Sequence, residues 1–403
     1  MNVANTIDVK VDVLVVGGGV AGCLAAITVA RAGYSTLLVE RSELIGGNAT
    51  SSAVGTVCGI TRQGESTLVN GGIVDELLLK LMNHSSRKIE FHRHGFAYLP
   101  YRIPDFLDVL DSAIQDCRTL TVLLASNVCS VQGQSVDNCT TITNVEIISA
   151  RNGRMLIFPK RIIDCSGNAT ITKLAKSPLI EDQLRQECAL VCGCSGFEIT
   201  DERTLLLLLA KESRFLFDKS SSENVPTFVS VVPGSKLGTN AALKFELAET
   251  TVSDNTAARA RGAVRSFISH LRSVENGFSN LQVQWYASTV GERSSEAGLG
   301  QKILTESDVI SSRKHDNEIV RGVWPIEWWH RGRVEVQVLP KGEHYSITEE
   351  MLKSSVWSNL TFAGRTISAT QRALASARVI GTSMATGEAA ARIALKNICS
   401  EKV

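Results

Sequence analysis

Val11 to Glu40 reads VDVLVVGGGVAGCLAAITVARAGYSTLLVE, and the order of residue types in it decides the fold. Val11 to Val16 is a short apolar run, the pattern of a parallel strand buried on both faces. Gly17, Gly19 and Gly22 follow at G-x-G-x-x-G spacing. Ala21 to Ala32 reads as a small-residue helix, entered through Val20 and stopped by Gly33, and Ser35 to Val39 is a second strand ending on Glu40. Gly17 permits a tight turn, Gly19 leaves room for a pyrophosphate against bare backbone, and Gly22 lets helix and strand pack closely. The helix N-terminus offers N–H groups and partial positive charge to that pyrophosphate. Glu40, about 20 residues on, suits the two hydroxyls of an adenosine ribose and repels a 2′-phosphate, so FAD or NAD fits and NADP does not. The alternative is a Rossmann fold that has lost its ligand.

The 403 residues allow two or three domains. Hydrophobic residues at 44% and charged residues at 21% suit an ordinary globular protein, and a net charge of +1 gives no pull toward nucleic acid or an anionic membrane. No apolar run approaches the roughly 18–20 residues that cross a bilayer, and Leu205 to Leu209 reads as a buried helix turn. A first strand this early leaves no room for a signal peptide, and the ten scattered cysteines suit a reducing cytoplasm. Cys188, Cys192 and Cys194 lack a usual zinc spacing, so no metal site is expected. Along a strand, Cys192 and Cys194 would share a face.

After Glu40 comes Arg41, then Gly46-Gly47-Asn48-Ala49-Thr50, a loop of small residues and backbone donors suited to a planar ring and its phosphate. Val69 to His84 and Pro104 to Cys117 carry helical apolar stripes. His92 and His94 form an H-x-H in a polar stretch and read as solvated. Leu120 to Leu124 and Val128 to Gln132 look like strands, and Val128 is the candidate to offer backbone groups to an adenine. Asn152-Gly153 predicts a hairpin between Thr143–Ser149 and Arg154–Phe158. Arg161 begins another strand that runs into a turn at Asp164-Cys-Ser166-Gly167, where Ser166 and Gly167 are cofactor candidates. Residues 176–344, with a basic run at Arg259, Arg261, Arg265 and Arg272, read as a unit inserted into one made of 1–175 and 345–403. At the end, NLTFAG is a strand, Arg365 to Ala373 a loop, and an alanine-rich helix entered near Arg378 runs to about Lys396. Gly364, Arg365, Arg378, Gly381 and Thr382 stand where that helix start could meet a ligand.

Three pieces together, the N-terminal glycines with GGNATSS, the DCSGN turn, and NLTFAGRTISATQRALASARVIGTSMATGEAAA, resemble the FAD-dependent oxidoreductases of the glutathione-reductase-like superfamily. The group is distantly similar to fumarate reductase flavoproteins. The resemblance implies an α/β fold: a Rossmann-like FAD-binding domain, with a parallel sheet, helices on one face and a β-hairpin or meander on the other, carrying an inserted mixed α+β substrate domain. It implies FAD as cofactor and a small organic substrate. The chain departs from the group's pattern at Glu296, where Arg is usual, at Gln371, where His is frequent, and at Asn168, where Asp is common. Aromatic hydroxylases carry a GD-x-AH-x-x-P turn and flavin halogenases a W-x-W-x-I-P motif, and this chain has neither.

FAD would supply the redox chemistry, leaving the chain to hold substrate, exclude water and manage protons. Arg293, to orient an anionic or carbonyl group, His330, to titrate near neutrality, and Tyr345 are the catalytic candidates; Arg365 and Arg378 are expected to contact the flavin or its phosphate, and Trp324, Trp328 and Trp329 could wall a pocket. The expected function is hydride transfer between flavin and a small organic molecule. The alternatives are a flavin monooxygenase and a non-catalytic binding module. The electron partner, whether O₂, NAD(P)H or a carrier, is left open, as is the oligomeric state.

Overall fold

The computed structural model describes residues 6–92, 94–136, 139–199, 201–219, 225–274 and 276–400. Its first strand runs Ile7–Val16, longer at its start than the apolar run. The extra residues alternate polar and apolar, and they pair in parallel with Met155–Phe158, which the apolar criterion could not register. On the other side lie Thr36–Val39 and then Leu120–Leu123, both parallel. Beyond Gly153–Asp164 the sheet turns antiparallel through Cys139–Ser149 and Ser126–Val136, while Leu360–Phe362 adds in parallel to the C-terminal end of Gly153–Asp164.

Gly153–Asp164 corrects the sequence reading, which divided it in two. It is one strand that changes partners. The antiparallel ladder with Cys139–Ser149 ends at Ile157, the ladder with Leu360–Phe362 begins at Ile162, and Pro159 stands in the gap, where a missing N–H is tolerated. The Asn152-Gly153 hairpin forms as expected.

Helices cover one face of this sheet. Val20–Arg31 is buried at every residue but the last, so it is enclosed on all sides rather than amphipathic. The final helix, Ile380–Ser400, is buried without a break from Ile380 to Ala391. Between the two lies almost no side chain: a methyl group on Gly387 would land on the carbonyl oxygen of Ala21. Gly72–Ser85 and Ile103–Gln115 complete this layer. Ile142, Val145, Ile147, Ile162 and Phe362 form a separate core on the opposite face, under the meander.

A second unit is built on a four-stranded antiparallel sheet, Phe228–Val231, Asn240–Glu246, Ala189–Ser195 and Gln282–Tyr286, with helices Glu202–Lys219 and Thr256–Val274. Its core draws on residues from Cys188 to Val290, with Ala53 joining from the first unit. Leu304, Val309, Val320, Ile326, Trp328 and Leu339 pack into the first core. Leu205 and Leu209 are fully buried, whereas Leu206 and Leu207 face outward. Cys192 and Cys194 do share a face, with their sulfurs 3.7 Å apart. The expected loop Arg365–Ala373 is in part helical: Gln371–Ala377 is a helix whose first turn is capped by the Thr370 hydroxyl, and Arg378 sits in the break before the final helix.

In an ordinary helix, Gly→Ala stabilises by about 1 kcal/mol. At Gly387 the sign reverses, because the methyl overlaps the Ala21 carbonyl. Gly387→Ala is expected to lower stability by about 1–3 kcal/mol, read as a fall in the urea midpoint without a change in slope.

Candidate functional site

The three motif glycines meet very different surroundings. A Cβ on Gly17 would strike Cys165 O, and one on Gly22 would strike Gly17 O, so both are demanded by packing. A Cβ on Gly19 would meet nothing within 4 Å. The backbone there is already extended, with φ −65° and ψ 177°, and no side chain caps the helix that starts beside it. An open space bordered by bare backbone and an uncapped helix N-terminus is the cradle a dinucleotide pyrophosphate requires. Val20 and Ala21 form the first helical turn, both buried.

Glu40 is buried at the end of the second strand. Its Oε2 accepts from Gly18 N at 2.5 Å, and its Oε1 accepts from Ser42 N at 2.8 Å and Ser42 Oγ at 2.7 Å. The carboxylate is thereby fixed against the glycine turn, with acceptor capacity left on Oε2. Gly18 and Ser42 were not singled out in the sequence, although a methyl on Gly18 would come within 2.9 Å of Glu40 Cβ. Arg41 is exposed. Val128 packs its side chain on the meander core, two residues past Ser126, whose N–H donates to Glu40 O at 2.9 Å.

Three of the sequence motifs converge. The Gly46–Thr50 loop is tied to the glycine turn by Gly46 N to Gly18 O at 2.7 Å, and Thr50 Oγ1 donates to Ile45 O inside the loop. Ala49 O accepts from the Tyr101 hydroxyl at 2.7 Å, and Gly47 lies over Gly19. Asn48 Nδ2 donates to Glu292 O at 3.1 Å, and Arg365 Nη1 donates to the same carbonyl. The Arg365 guanidinium lies on Gly167, where a Cβ would come within 2.5 Å of it. Ser166 does not offer a free hydroxyl: its Oγ donates to Asp164 at 2.6 Å and accepts from Thr170 N at 3.0 Å. Asp164 is the hub of that turn, and burial pushes its carboxyl up despite those donors. Gly364 N donates to Thr386 Oγ1 at 3.0 Å. Gly381 packs onto Ile60 and the Cys58 carbonyl, so its small size serves chain packing there. Thr382 Oγ1 is buried with no hydrogen-bond partner.

Beside this convergence lies a cavity of about 350 Å³. Asn48 and Ser52 line it from the first unit, Lys244 and Arg293 from the second, and Trp324, Glu327, Trp329 and Arg378 from the returning chain. Arg293 makes a bidentate pair with Glu246, at 2.7 and 2.8 Å, and donates to Glu187 O at 2.5 Å. Lys244 adds a contact to Glu246 at 3.0 Å. Burial pushes the Glu246 carboxyl up, but Arg293 and Lys244 more than offset this and hold it below the usual carboxylate range. Lys244 and Arg293 also lie against the Trp329 ring, 4.5 and 5.1 Å from its centroid. Lys244 and Glu246 were legible in principle, as charges two apart in the otherwise apolar AALKFEL strand.

Of the three catalytic candidates, the structure brings only Arg293 to this cavity. His330 is exposed at the end of strand Ile326–His330 and lines a different pocket with Arg331 and Arg333. Tyr345 is fully buried, with its hydroxyl 2.8 Å from Ser376 Oγ and its ring against Gly322; it is a core residue, and burial pushes its phenol up. Trp324 and Trp329 line the cavity, whereas Trp328 packs under the Arg372 guanidinium. His92 and His94 are exposed at its rim, their rings 5.4 Å apart, and no metal-binding cluster of His, Cys, Asp or Glu exists among the described residues.

The family model described as FAD dependent oxidoreductase matches residues 12–402. Over 42 residues the chain is 55% identical to a protein of Archaeoglobus profundus that is like a subunit of heterodisulfide reductase, a stretch covering 10% of this chain and 6% of that protein. Similar solved structures include a geranylgeranyl bacteriochlorophyll reductase-like protein of Thermoplasma acidophilum, at 14% identity and TM-score 0.49, covering 98% of this chain and 80% of that one. Another is p-nitrophenol 4-monooxygenase of Pseudomonas putida, at 12% identity and TM-score 0.48, covering 98% and 82%. Both are too distant to bear on the reaction. Among the described residues no helix is long and apolar enough to cross a membrane.

The contrast between Gly19 and Gly22 gives a paired test. Gly19→Ala is expected to keep wild-type urea stability and lose flavin, whereas Gly22→Ala loses both, read by denaturation and by flavin absorbance per chain. A second test concerns the buried pair. Arg293→Met leaves the buried Glu246 with Lys244 as its remaining cation partner among the described residues and is expected to cost about 3 kcal/mol, most of it regained in Arg293→Met/Glu246→Met. Because Glu246 is held low when folded, the pair's contribution is whole above about pH 4.3 and is lost as pH falls further. The double variant's urea midpoint should therefore fall less on acidification than the wild type's.

Proposed function

The chain belongs to the FAD-dependent oxidoreductases, and on that premise we propose that it catalyses hydride transfer to or from a small organic substrate held in the cavity between Asn48 and Trp329. The observation that carries this reading is the make-up of that cavity. One wall, Asn48 to Ser52, belongs to the loop tied to the glycine turn, and the facing walls come from the antiparallel sheet and from Trp324 to Trp329. FAD, when bound along Gly17–Gly22, Glu40 and Gly46–Thr50, would supply the hydride chemistry. We take the residues around the Cys188–Val290 core as the substrate-side unit.

The chain's own tasks follow from the lining. Phe96 and Trp324, with ring centroids 5.7 Å apart, and Trp329 give an apolar body a surface to lie against and keep water off it. Asn48, anchored on Glu292 O, fixes the loop wall. Arg293 is committed to Glu246 and positions the Trp329 wall rather than touching substrate. Glu327 lines the cavity without a salt-bridge partner among the described residues. Its carboxylate is the group proposed to hold the substrate proton, taking over the role the sequence had offered to His330 and Tyr345.

The decisive measurement is anaerobic. Bleaching of the flavin band by one candidate substrate, with no nicotinamide added, supports direct hydride transfer. Bleaching only by NAD(P)H, with oxygen later found in the product, would show a monooxygenase instead. Glu327→Gln is expected to lower the rate of bleaching by about 10²–10⁴-fold at unchanged flavin content; an unchanged rate removes Glu327 from the role.

A further inference from the structure

We propose that Arg378 is the anion-recognition group of this cavity, and that the substrate carries a carboxylate on an aromatic or otherwise planar apolar body. The inference rests on the cavity being the substrate site, as proposed above, and adds the chemical class that enters it.

The case is one of unequal pairing. Three cations line the cavity, Lys244, Arg293 and Arg378. The first two share Glu246, which lies behind them and is fully buried. Arg378 has no such partner. Its Nε is buried and makes no hydrogen bond, and its Nη2 reaches only Gln186 Oε1, at 3.4 Å. That Gln186 oxygen is already an acceptor for Trp329 N at 3.2 Å. The two lining carboxylates, Glu292 and Glu327, make no salt bridge to Arg378, although Glu327 is near enough for its charge to be felt. Burial, reinforced by the like charges of Arg293 and Arg365, pulls Arg378 down to about 9. At neutral pH the group is still charged, and its planar fork is short of acceptors inside a half-enclosed space. A guanidinium in that state is matched by a bidentate carboxylate.

The sequence reading assigned Arg378 to the flavin or its phosphate. The structure puts it on the cavity wall, in the break between Gln371–Ala377 and Ile380–Ser400, where its carbonyl accepts from Ser383 Oγ at 3.1 Å. Its backbone is thus fixed by the start of the final helix, and the residue lines the cavity. Next to it stand Trp324, whose Nε1 is also buried without a partner, and Trp329. An aromatic acid would find a ring surface and a cation within one space.

The test uses FAD-loaded wild-type and Arg378→Gln protein with three acids, benzoate, indole-3-acetate and 4-hydroxycinnamate, each against its neutral amide. Calorimetry reads affinity, and the flavin difference spectrum reads whether binding occurs beside the flavin. At least one acid is expected to bind about tenfold or more tightly than its amide, the preference vanishing in Arg378→Gln and partly returning in Arg378→Lys, with flavin content unchanged. If no acid outbinds its amide, or if Arg378→Gln keeps the preference, the proposal is overturned. Flavin loss in Arg378→Gln would return the residue to cofactor binding and overturn it as well. An acid preference that depends on Arg378 but leaves the flavin spectrum unmoved would uphold the anion site while removing the cavity from the proposed reaction.

Discussion

The first helix is held by backbone-to-backbone approach on two sides. Gly22 brings it onto the Gly17 carbonyl at the end of the first strand, and Gly387 brings the final helix onto the carbonyl of Ala21. Neither approach leaves room for one methyl group. Dispersion between closely packed backbones is favourable only while the surfaces match, so the separation of strand, helix and helix is fixed to a fraction of an ångström. The open space over Gly19 owes its shape to this clamp, because the residue that borders it sits between the two contacts. Glu388 extends the same linkage: one residue past the clamp, its Oε2 accepts from Val74 N at 3.1 Å and satisfies an N–H at the start of Gly72–Ser85.

What could be read from the sequence follows from how local each determinant is. The glycine turn, the Glu40 terminus, the Asn152-Gly153 hairpin and the alanine-rich final helix each declare themselves within a dozen residues. The long first strand and the unbroken Gly153–Asp164 did not, because their polar residues are licensed by partners far along the chain and Pro159 by a gap between two partners. Arg378 and Arg365 were read as a pair with one role. Their separation comes from the helix break at Arg378, which nothing in SARVIG announces, since every residue there is compatible with a helix. Glu327 was missed for a plainer reason: it is an ordinary charged residue until the fold turns it toward the cavity. His330 and Tyr345 drew notice by side-chain chemistry alone, and burial settled them in opposite directions, one left on the surface and the other closed into the core.

Cavity size is a poor guide in this molecule. The pocket around His330, at about 550 Å³, is larger than the one beside the glycine loop, and it is rich in arginine. Its lining, however, comes from the turn at residues 330–333, the helix Glu202–Lys219 and Thr227, and none of the glycine-motif residues lines it. The hydride transfer proposed above requires contact between reacting atoms, and of these two pockets only the one bordered by Asn48 and Ser52 shares a wall with the glycine-tied loop. The same criterion explains why its charges are arranged unevenly. A buried carboxylate such as Glu246 is tolerable only when its partners are close and well aligned, and Arg293 and Lys244 are consumed in meeting that need. The wall they build around Trp329 is consequently stiff and electrically quiet. Arg378 is left as the group whose electrostatic demand is still open, and it lines the cavity proposed to hold the substrate.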